Sequence, residues 1–316
     1  MRDLPMPTSP LSTVPWPSML RGLALRRNTL EKREVVGLTP TPAFTPVPVP
    51  IVLPDALNEA LLEAPNEVQP EVRGRSGIAV SWAKNSDEVR QAQRLRFAVF
   101  AKEMGARLDT TSPGHDVDRF DHYCEHLLVR DVATREVVGT YRVLTPTQAE
   151  RAGGTYTDTE FNLDRLHVRR ERMVELGRSC VHKDYRQGAV IMALWGALAE
   201  FMVRNKLDTM IGCASIPMLH NGVVSGDVAS SIWRKISQQH LAPLADQAVP
   251  RLPLPIEKFN STLDVEPPAL IKGYLRLGAK VLGAPAWDPD FNTADVPMMM
   301  CINELPARYR KHFLGA

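Results

Sequence analysis

Proline is concentrated at one end of this chain, and that distribution limits where a folded domain can begin. Thirteen of the 26 prolines lie in the first 70 residues. Residues 39–50 read TPTPAFTPVPVP. Because proline fixes φ and lacks a backbone donor, this segment can form neither a helix nor a central strand. We therefore predict a disordered, proline-rich arm over residues 1–75 and a folded domain over residues 76–316.

Composition and charge exclude several classes of function. The formal net charge is +2, so the chain as a whole gives no reason to expect a nucleic-acid partner. The cysteines are widely spaced without a CxxC pair, and no histidine spacing indicates a metal site. We therefore predict no bound metal and reduced, structural thiols at Cys124, Cys180, Cys213 and Cys301.

The sequence shows neither a secretory signal nor a membrane span. Residues 1–20 carry five prolines instead of a basic start followed by an apolar run. The longest apolar run, 188–203, is interrupted by Glu200 and is too short to cross a bilayer. We expect a cytoplasmic protein. The basic segment 19–34 is either a solvated arm or a weak contact, with the inner membrane at its periphery or with the carrier.

Strand and helix patterns follow one another through the predicted domain. Hydrophobic periodicity and capping residues separate the two types. A helix over 188–205 is apolar on nearly all sides, so we expect it to be buried between two parallel strands. The order predicts an α+β fold with a mixed central sheet and flanking helices. Strands are predicted at 78–82, 125–130, 137–144, 173–181, 209–216 and 296–303, and helices at 86–104, 188–205 and 269–278.

The junction between strand 173–181 and the helix that begins at Gly188 indicates an anion site. Unpaired N–H groups and the helix dipole at such a start favour phosphate. The segment Arg186-Gln187-Gly188-Ala189 adds a cation and small residues that allow close approach. The alternative is an ordinary tight turn, since glycine is common at this position.

Residues 175–189, which read ELGRSCVHKDYRQGA, resemble the cofactor loop of GNAT acyltransferases. The resemblance implies a GNAT fold in which splayed parallel strands hold the pantetheine arm of a thioester donor. GNAT loops usually carry two spaced glycines, and this loop has only Gly188. That departure favours an acyl-carrier protein over coenzyme A, with its phosphopantetheine thioester as donor substrate and no permanently bound cofactor. The implied donor contacts are Ser179, Cys180, Val181, Arg186, Gln187, Gly188 and Ala189.

Further motifs resemble acyl-homoserine-lactone synthases and, more closely, the bacterial ornithine N-acyltransferases that begin ornithine-lipid synthesis. The closer resemblance rests on residues 118–129, 175–182 and 268–280, with the block 286–295 that follows. It implies transfer of a 3-hydroxyacyl chain from acyl-carrier protein to the α-amine of ornithine, giving lyso-ornithine lipid. The alternatives are a homoserine-lactone synthase, a coenzyme A-dependent GNAT N-acetyltransferase and a non-catalytic GNAT module.

The resemblance also implies the site residues. Glu175 is the candidate base, because a charge in an apolar strand is costly unless it is used or paired. Its alternative is a structural ion pair with Arg178 or Arg142. Residues three apart on a regular strand face opposite sides, so catalysis by Glu175 together with Arg178 requires a bulge near Gly177. The implied substrate-binding residues are Arg96, Phe100, Asp116, Asp118, Asp121, Arg142 and Phe161.

The reaction suggests a role for each charge. Arg142 and Arg178 would hold the carboxylate of the amino acid, and Asp116, Asp118 or Asp121 would hold its distal ammonium. The alternative for the aspartates is a solvated loop. A backbone N–H of Ser179 or Cys180 would stabilise the oxyanion. A basic run over 165–172, with Lys183 and Arg186, would dock the acidic carrier protein or would simply be solvated.

Overall fold

The computed structural model describes residues 77–110, 112–220 and 222–314. The predicted arm over residues 1–75, with its basic segment, lies outside these residues. Within the described chain, a mixed sheet carries the main architecture. Its order is β1-β2-β3-β5-β6-β12-β10, and β11 also pairs with β12. These strands are β1 (Ile78–Trp82), β2 (Glu125–Asp131), β3 (Val137–Leu144), β5 (Met173–Val181), β6 (Thr209–Pro217), β10 (Lys280–Val281), β11 (Ala286–Asp288) and β12 (Thr293–Cys301).

Helices cover both sides of this sheet, and two short two-stranded sheets, β4-β9 and β7-β8, are separate from it. The helices are α1 (Ser86–Phe97), α2 (Pro146–Ala152), α3 (Tyr156–Glu160), α4 (Ala189–Arg204), α5 (Asp227–His240), α6 (Ala269–Arg276) and α7 (Ala307–Leu314). The short strands are β4 (Phe161–Asn162), β7 (Leu219–His220), β8 (Val223–Val224) and β9 (Val249–Pro250). No helix among the described residues is long and apolar enough to cross a bilayer.

Strands β5 and β6 form the single parallel pair of the sheet within the described chain. They pair only over Met173–Glu175 and Thr209–Ile211. Beyond Glu175 the two strands separate, although each continues for several residues. The predicted splayed parallel strands are therefore present, with α4 as the connection between them.

The residues at the N-terminus of helix α1 explain where the helix begins. The Asn85 side chain accepts a hydrogen bond from the Glu88 amide at 3.0 Å, and two acids occupy the first turn. The helix continues as a π-helical turn over Ala98–Glu103. Such a turn changes the angular position of the residues after it. It brings Phe100 to the sheet, where its ring lies edge-on to Phe291 at 5.8 Å.

The structure contains elements beyond those expected, and two of the differences involve buried polar residues. The last strand begins at Thr293, three residues before the predicted start, and pairs with β6 along its whole length. The added residues include the buried acidic side chain of Asp295, where the apolar pattern of the strand does not extend. Residues 227–240, which gave a mixed pattern, form helix α5. The hydroxyls of Ser230 and Ser231 on this helix bond loop carbonyls, so polar residues occupy part of its buried face.

Candidate active site

The gap between β5 and β6 opens into a cavity of about 450 Å³. Its walls come from β5, β6 and β12, with contributions from the π-helical turn and α6. The cavity passes through the sheet, because the missing ladder beyond Glu175 leaves no backbone to close it. A long, thin substrate can therefore reach both faces of the sheet from one opening.

The two faces differ in chemistry. Directly paired residues share a face, and alternate residues change face. The register of β5, β6 and β12 therefore places Glu175, Cys213, Ser215 and Asp295 on one side, which we call the polar face. The opposite side, which we call the apolar face, carries Leu176, Met210, Met298 and Met300, with Leu270 and Tyr274 from α6.

Glu175 lies on the polar face and is 4% exposed. It accepts hydrogen bonds from the Tyr156 amide at 2.8 Å and from the Thr157 amide and hydroxyl, both at 2.6 Å. Burial raises the pKa of its carboxyl group, and these hydrogen bonds oppose the rise. The ion pairs of Arg142 and Arg178 go to other carboxylates, so the structural ion-pair alternative for Glu175 is wrong.

A β-bulge places Arg178 beside the cavity. Gly177 lies opposite Arg142 and Cys180 opposite Thr140, so two residues of β5 face one residue of β3. Arg178 takes the positive φ of 50° within this bulge. The irregularity expected near Gly177 is thus present, and both Glu175 and Arg178 line the cavity.

The guanidinium of Arg178 is held between carboxylates and aromatic rings. Nη2 donates to Asp118 Oδ2 at 3.0 Å, and Nε lies 3.2 Å from Asp116 Oδ2 without forming a hydrogen bond. The guanidinium carbon lies 5.1 Å from the ring centre of Tyr156 and 4.7 Å from that of Phe291. Arg178 therefore lines the cavity with a guanidinium whose Nε donates no hydrogen bond.

Three arginines and three aspartates form one buried network beside the cavity. Arg96 Nε donates to Asp116 at 2.7 Å, and its two terminal nitrogens donate to Asp121 at 2.7 and 2.8 Å. Arg142 donates to Asp118 at 2.6 Å. Because these charges balance, the aspartates are neither a solvated loop nor free to neutralise an ammonium group. The predicted contact of Asp116, Asp118 or Asp121 with the distal ammonium stays a prediction, and their pairing with arginines argues against it.

The cavity brings together only part of the predicted site. Phe100, Arg142, Glu175, Arg178, Ser179, Cys180, Val181 and Arg186 line it. Arg96 lies one layer behind, fully buried, and the three aspartates hold the lining arginines from that layer. Phe161 packs in a hydrophobic cluster with Leu163 and Met173, away from the lining.

Arg186 and Gly188 hold the predicted donor loop in its observed conformation. Arg186 forms a two-pronged ion pair with Glu103 at 2.6 and 2.9 Å, and its Nε donates to the Val181 carbonyl. Gly188 has φ of 95°, a conformation that favours glycine, and it caps α4 without a side chain. Gln187, Gly188 and Ala189 do not line the cavity, so their predicted donor contacts remain a prediction.

The cysteines have the properties of structural thiols. Burial raises the pKa of Cys124 and Cys180 to about 12, and it raises the pKa of Cys213 and Cys301 as well. All four are unpaired by disulfides. A protonated thiol is a poor nucleophile, so these cysteines are not suited to attack a thioester.

The basic run before β5 is largely engaged within the domain. Arg169 pairs with Asp246 at 2.9 Å and Arg170 with Asp158 at 2.6 Å. Arg172 pairs with Asp208 at 3.0 Å. Neither a fully solvated loop nor a free basic patch describes these side chains.

Several cavity residues gave no signal in the sequence argument. Tyr156 and Thr157 hold Glu175 from the start of α3, where the capping box of Thr155 and Asp158 marks the helix. That box could have located the helix, though not its contact with Glu175. Asp288 and Asp295 lie in the block 286–295, which the resemblance had singled out without a role.

Comparison with known proteins agrees with this architecture. The family described as Acetyltransferase (GNAT) domain matches residues 95–196, so the predicted GNAT fold is confirmed. The L-ornithine N(alpha)-acyltransferase of Brucella abortus (strain 2308) is 35% identical over 261 residues, 77% of this chain and 91% of that protein. The protein of the same name from Agrobacterium fabrum is 33% identical over 267 residues, 77% of this chain and 87% of that protein. Among solved structures, the AHL synthase LasI has 15% identity and a TM-score of 0.44, covering 76% of this chain and 96% of that chain.

Proposed function

This chain belongs to the family of L-ornithine N(alpha)-acyltransferases, and on that premise we propose that it acylates the α-amine of L-ornithine. It is an N-acyltransferase. The donor we propose is a 3-hydroxyacyl thioester on the phosphopantetheine of an acyl-carrier protein. The product is lyso-ornithine lipid. The observation that carries the proposal is the cavity through the sheet, with a carboxylate on its polar face and methionines on its apolar face.

The splay between β5 and β6 suits the pantetheine arm. An extended chain can lie along Leu176–Val181, where the β5 backbone has no β6 partner. The phosphate would then meet the N-terminus of α4 beside Gly188. The acyl chain would pass to the apolar face, among Met210, Met298 and Met300.

The amine would approach from the polar face. A neutral amine is needed for attack, and Glu175 would take the proton, directly or through one water. Burial raises the pKa of the Glu175 carboxyl group. The rise brings this pKa closer to the pKa of the ammonium group that Glu175 must deprotonate. The guanidinium of Arg178, which lines the cavity, would bind the amino-acid carboxylate.

The bulge supplies the oxyanion donor in this proposal. Attack forms an N–C bond and a negatively charged oxygen, and collapse breaks the C–S bond to release the pantetheine thiol. Cys180 lies opposite Thr140 in the β3 ladder, whereas Ser179 has no partner residue there. We therefore assign the oxyanion contact to the Ser179 N–H.

Two alternative reactions would use the same cavity, one with a different acceptor and one with a different donor. A homoserine-lactone synthase would acylate S-adenosylmethionine, and a coenzyme A enzyme would use a donor with a pyrophosphate. The identity to ornithine acyltransferases over most of the chain favours ornithine. The single-glycine loop at Gly188 favours the carrier protein.

Mass spectrometry of lipids tests the proposal. The full chain is expressed in a bacterium that lacks ornithine lipids, beside Glu175→Ala and Arg178→Ala variants whose folding is checked by circular dichroism. We expect N-(3-hydroxyacyl)-ornithine with the unchanged chain and its loss in both variants. Folded protein without this product, in cells with ample acyl-carrier donor, would reject ornithine as the acceptor.

A further inference from the structure

Two carboxylates of the β11–β12 hairpin face the cavity. Asp288 lies opposite Thr293, and Asp295 follows two residues later on β12. The two aspartates therefore share the polar face as diagonal neighbours, a relation that places α-carbons about 7–8 Å apart. Asp288 is 2% exposed and Asp295 3%, and both line the cavity.

The contacts of both carboxylates within the described chain are with neutral donors. Asp288 Oδ2 accepts from the Tyr156 hydroxyl at 3.0 Å, and Oδ1 accepts from the amides of Asp290 and Phe291. Asp295 Oδ1 accepts from the Thr293 hydroxyl at 2.8 Å. Two buried carboxylates without a cation between them are costly unless one of them is protonated or a ligand supplies the positive charge.

The nearby arginines do not supply it. Arg96, Arg142 and Arg178 direct their ion pairs to Asp116, Asp118 and Asp121. That network is balanced within itself, so it offers no arginine to the two aspartates. The cavity of about 450 Å³ that both aspartates line is large enough for a small molecule.

We propose that Asp288 and Asp295 bind the side-chain ammonium of the acceptor and thereby select a diamino acid over amino acids with uncharged side chains. Tyr156 supports this arrangement because it touches all three polar groups of the site. Its amide meets Glu175, its ring lies beside Arg178, and its hydroxyl reaches Asp288. An α-amine at Glu175 and a carboxylate at Arg178 direct the side chain of the acceptor along this ring to the acidic pair. The inference rests on the proposed function, since it assumes acylation of an amino acid in this cavity.

Competition between two acceptors tests the inference. The purified full chain is supplied with a 3-hydroxyacyl-acyl-carrier protein and with either ornithine or norvaline, which has the same carbon skeleton without the terminal amine. We expect the unchanged chain to prefer ornithine. Asp288→Asn and Asp295→Asn should each lower kcat/KM for ornithine about 10- to 100-fold, mainly through KM, because each removes a charged hydrogen bond. Turnover of norvaline should stay within about 3-fold.

The control is Asp264→Asn, which removes the same charge from an exposed position outside the cavity lining and should leave both acceptors unchanged. Calorimetric titration of ornithine into donor-free protein gives a second readout, in which the two cavity variants should bind about 10-fold more weakly or worse. Equal losses for ornithine and norvaline, or an unchanged KM for ornithine, would overturn the inference while leaving ornithine acylation intact. Failure of the unchanged chain to acylate ornithine would instead reject the proposed function, and this inference with it.

Discussion

Arg96 and Asp121 form a two-pronged ion pair in which both side chains are buried, with nitrogen–oxygen distances of 2.7 and 2.8 Å. Desolvation by burial opposes the charge of Arg96, but hydrogen bonding and the charges of Asp121 and Asp116 raise its pKa. The pair fastens helix α1 to the turn before β2. The same turn carries Asp118, which holds Arg142 and Arg178 at the cavity. The position of the lining arginines therefore depends on a contact outside the cavity.

Loss of this pair should destabilise the domain. We predict that Arg96→Leu lowers the free energy of unfolding by about 3–5 kcal/mol, because it leaves two buried carboxylates short of a partner. Arg96→Lys should have an intermediate effect, since an ammonium group cannot reproduce the planar fork. Urea unfolding measures both. Arg94→Leu on the exposed side of α1 is the control, and it should change stability by no more than about 0.5 kcal/mol. Equal effects at the two positions would contradict this role for Arg96.

The hydroxyl of Thr157 should lower the pKa of Glu175, which is the proposed proton acceptor. It donates to Glu175 at 2.6 Å and so favours the ionised carboxylate. Thr157→Val removes this bond and should raise the pKa of Glu175 further. The acidic limb of the pH profile for kcat/KM should then move to higher pH by about 1 unit. Thr159→Val is the control, because that hydroxyl donates to the Tyr156 carbonyl instead. A limb that stays in place in Thr157→Val would argue against Glu175 as the base.

Asp295 should make stability depend on pH in the free protein. Burial and the neighbouring charges of Asp288 and Glu160 raise its pKa from 3.8 to about 7. A raised pKa contributes stability that is fully present below the unfolded value and is lost as pH rises through the folded value. Asp295→Asn, which stays neutral, should therefore become more stable than the unchanged chain between pH 5 and pH 8, by up to about 4 kcal/mol. Thermal unfolding at both pH values checks this, with exposed Asp264→Asn as control. A difference independent of pH would show that Asp295 does not titrate in this window.

Two glycines near the splay should respond differently to an added methyl group. A Cβ on Gly212 would overlap the backbone oxygen of Leu176, which cannot rotate away, whereas a Cβ on Gly177 meets only the Arg142 side chain at 3.8 Å. We predict that Gly212→Ala lowers the free energy of unfolding by about 1–3 kcal/mol and raises KM for the thioester donor. Gly177→Ala should cost less than about 1 kcal/mol. Similar losses in unfolding experiments on both variants would contradict this account of the gap.

The local pattern of the sequence was sufficient for most of the main framework. Alternating apolar residues located β1, β2, β3, β5 and β6, and the nearly all-apolar segment located α4. Where buried polar residues interrupt an element, the pattern failed, as it did at Asp295 in β12 and along α5. Period-based reasoning assigns polar residues to the surface, and these are held inside by hydrogen bonds to distant parts of the chain.

The sequence by itself determined the fold class, and it indicated a donor loop and a candidate base, because each of these depends on a pattern in contiguous residues. Only the tertiary structure decided which charges are available to a ligand. Asp116, Asp118 and Asp121 are neutralised by arginines from α1, β3 and β5, whereas Asp288 and Asp295 face the cavity with neutral partners. Charge pairing depends on distances of a few ångströms between segments far apart in the chain, and no local pattern encodes those distances.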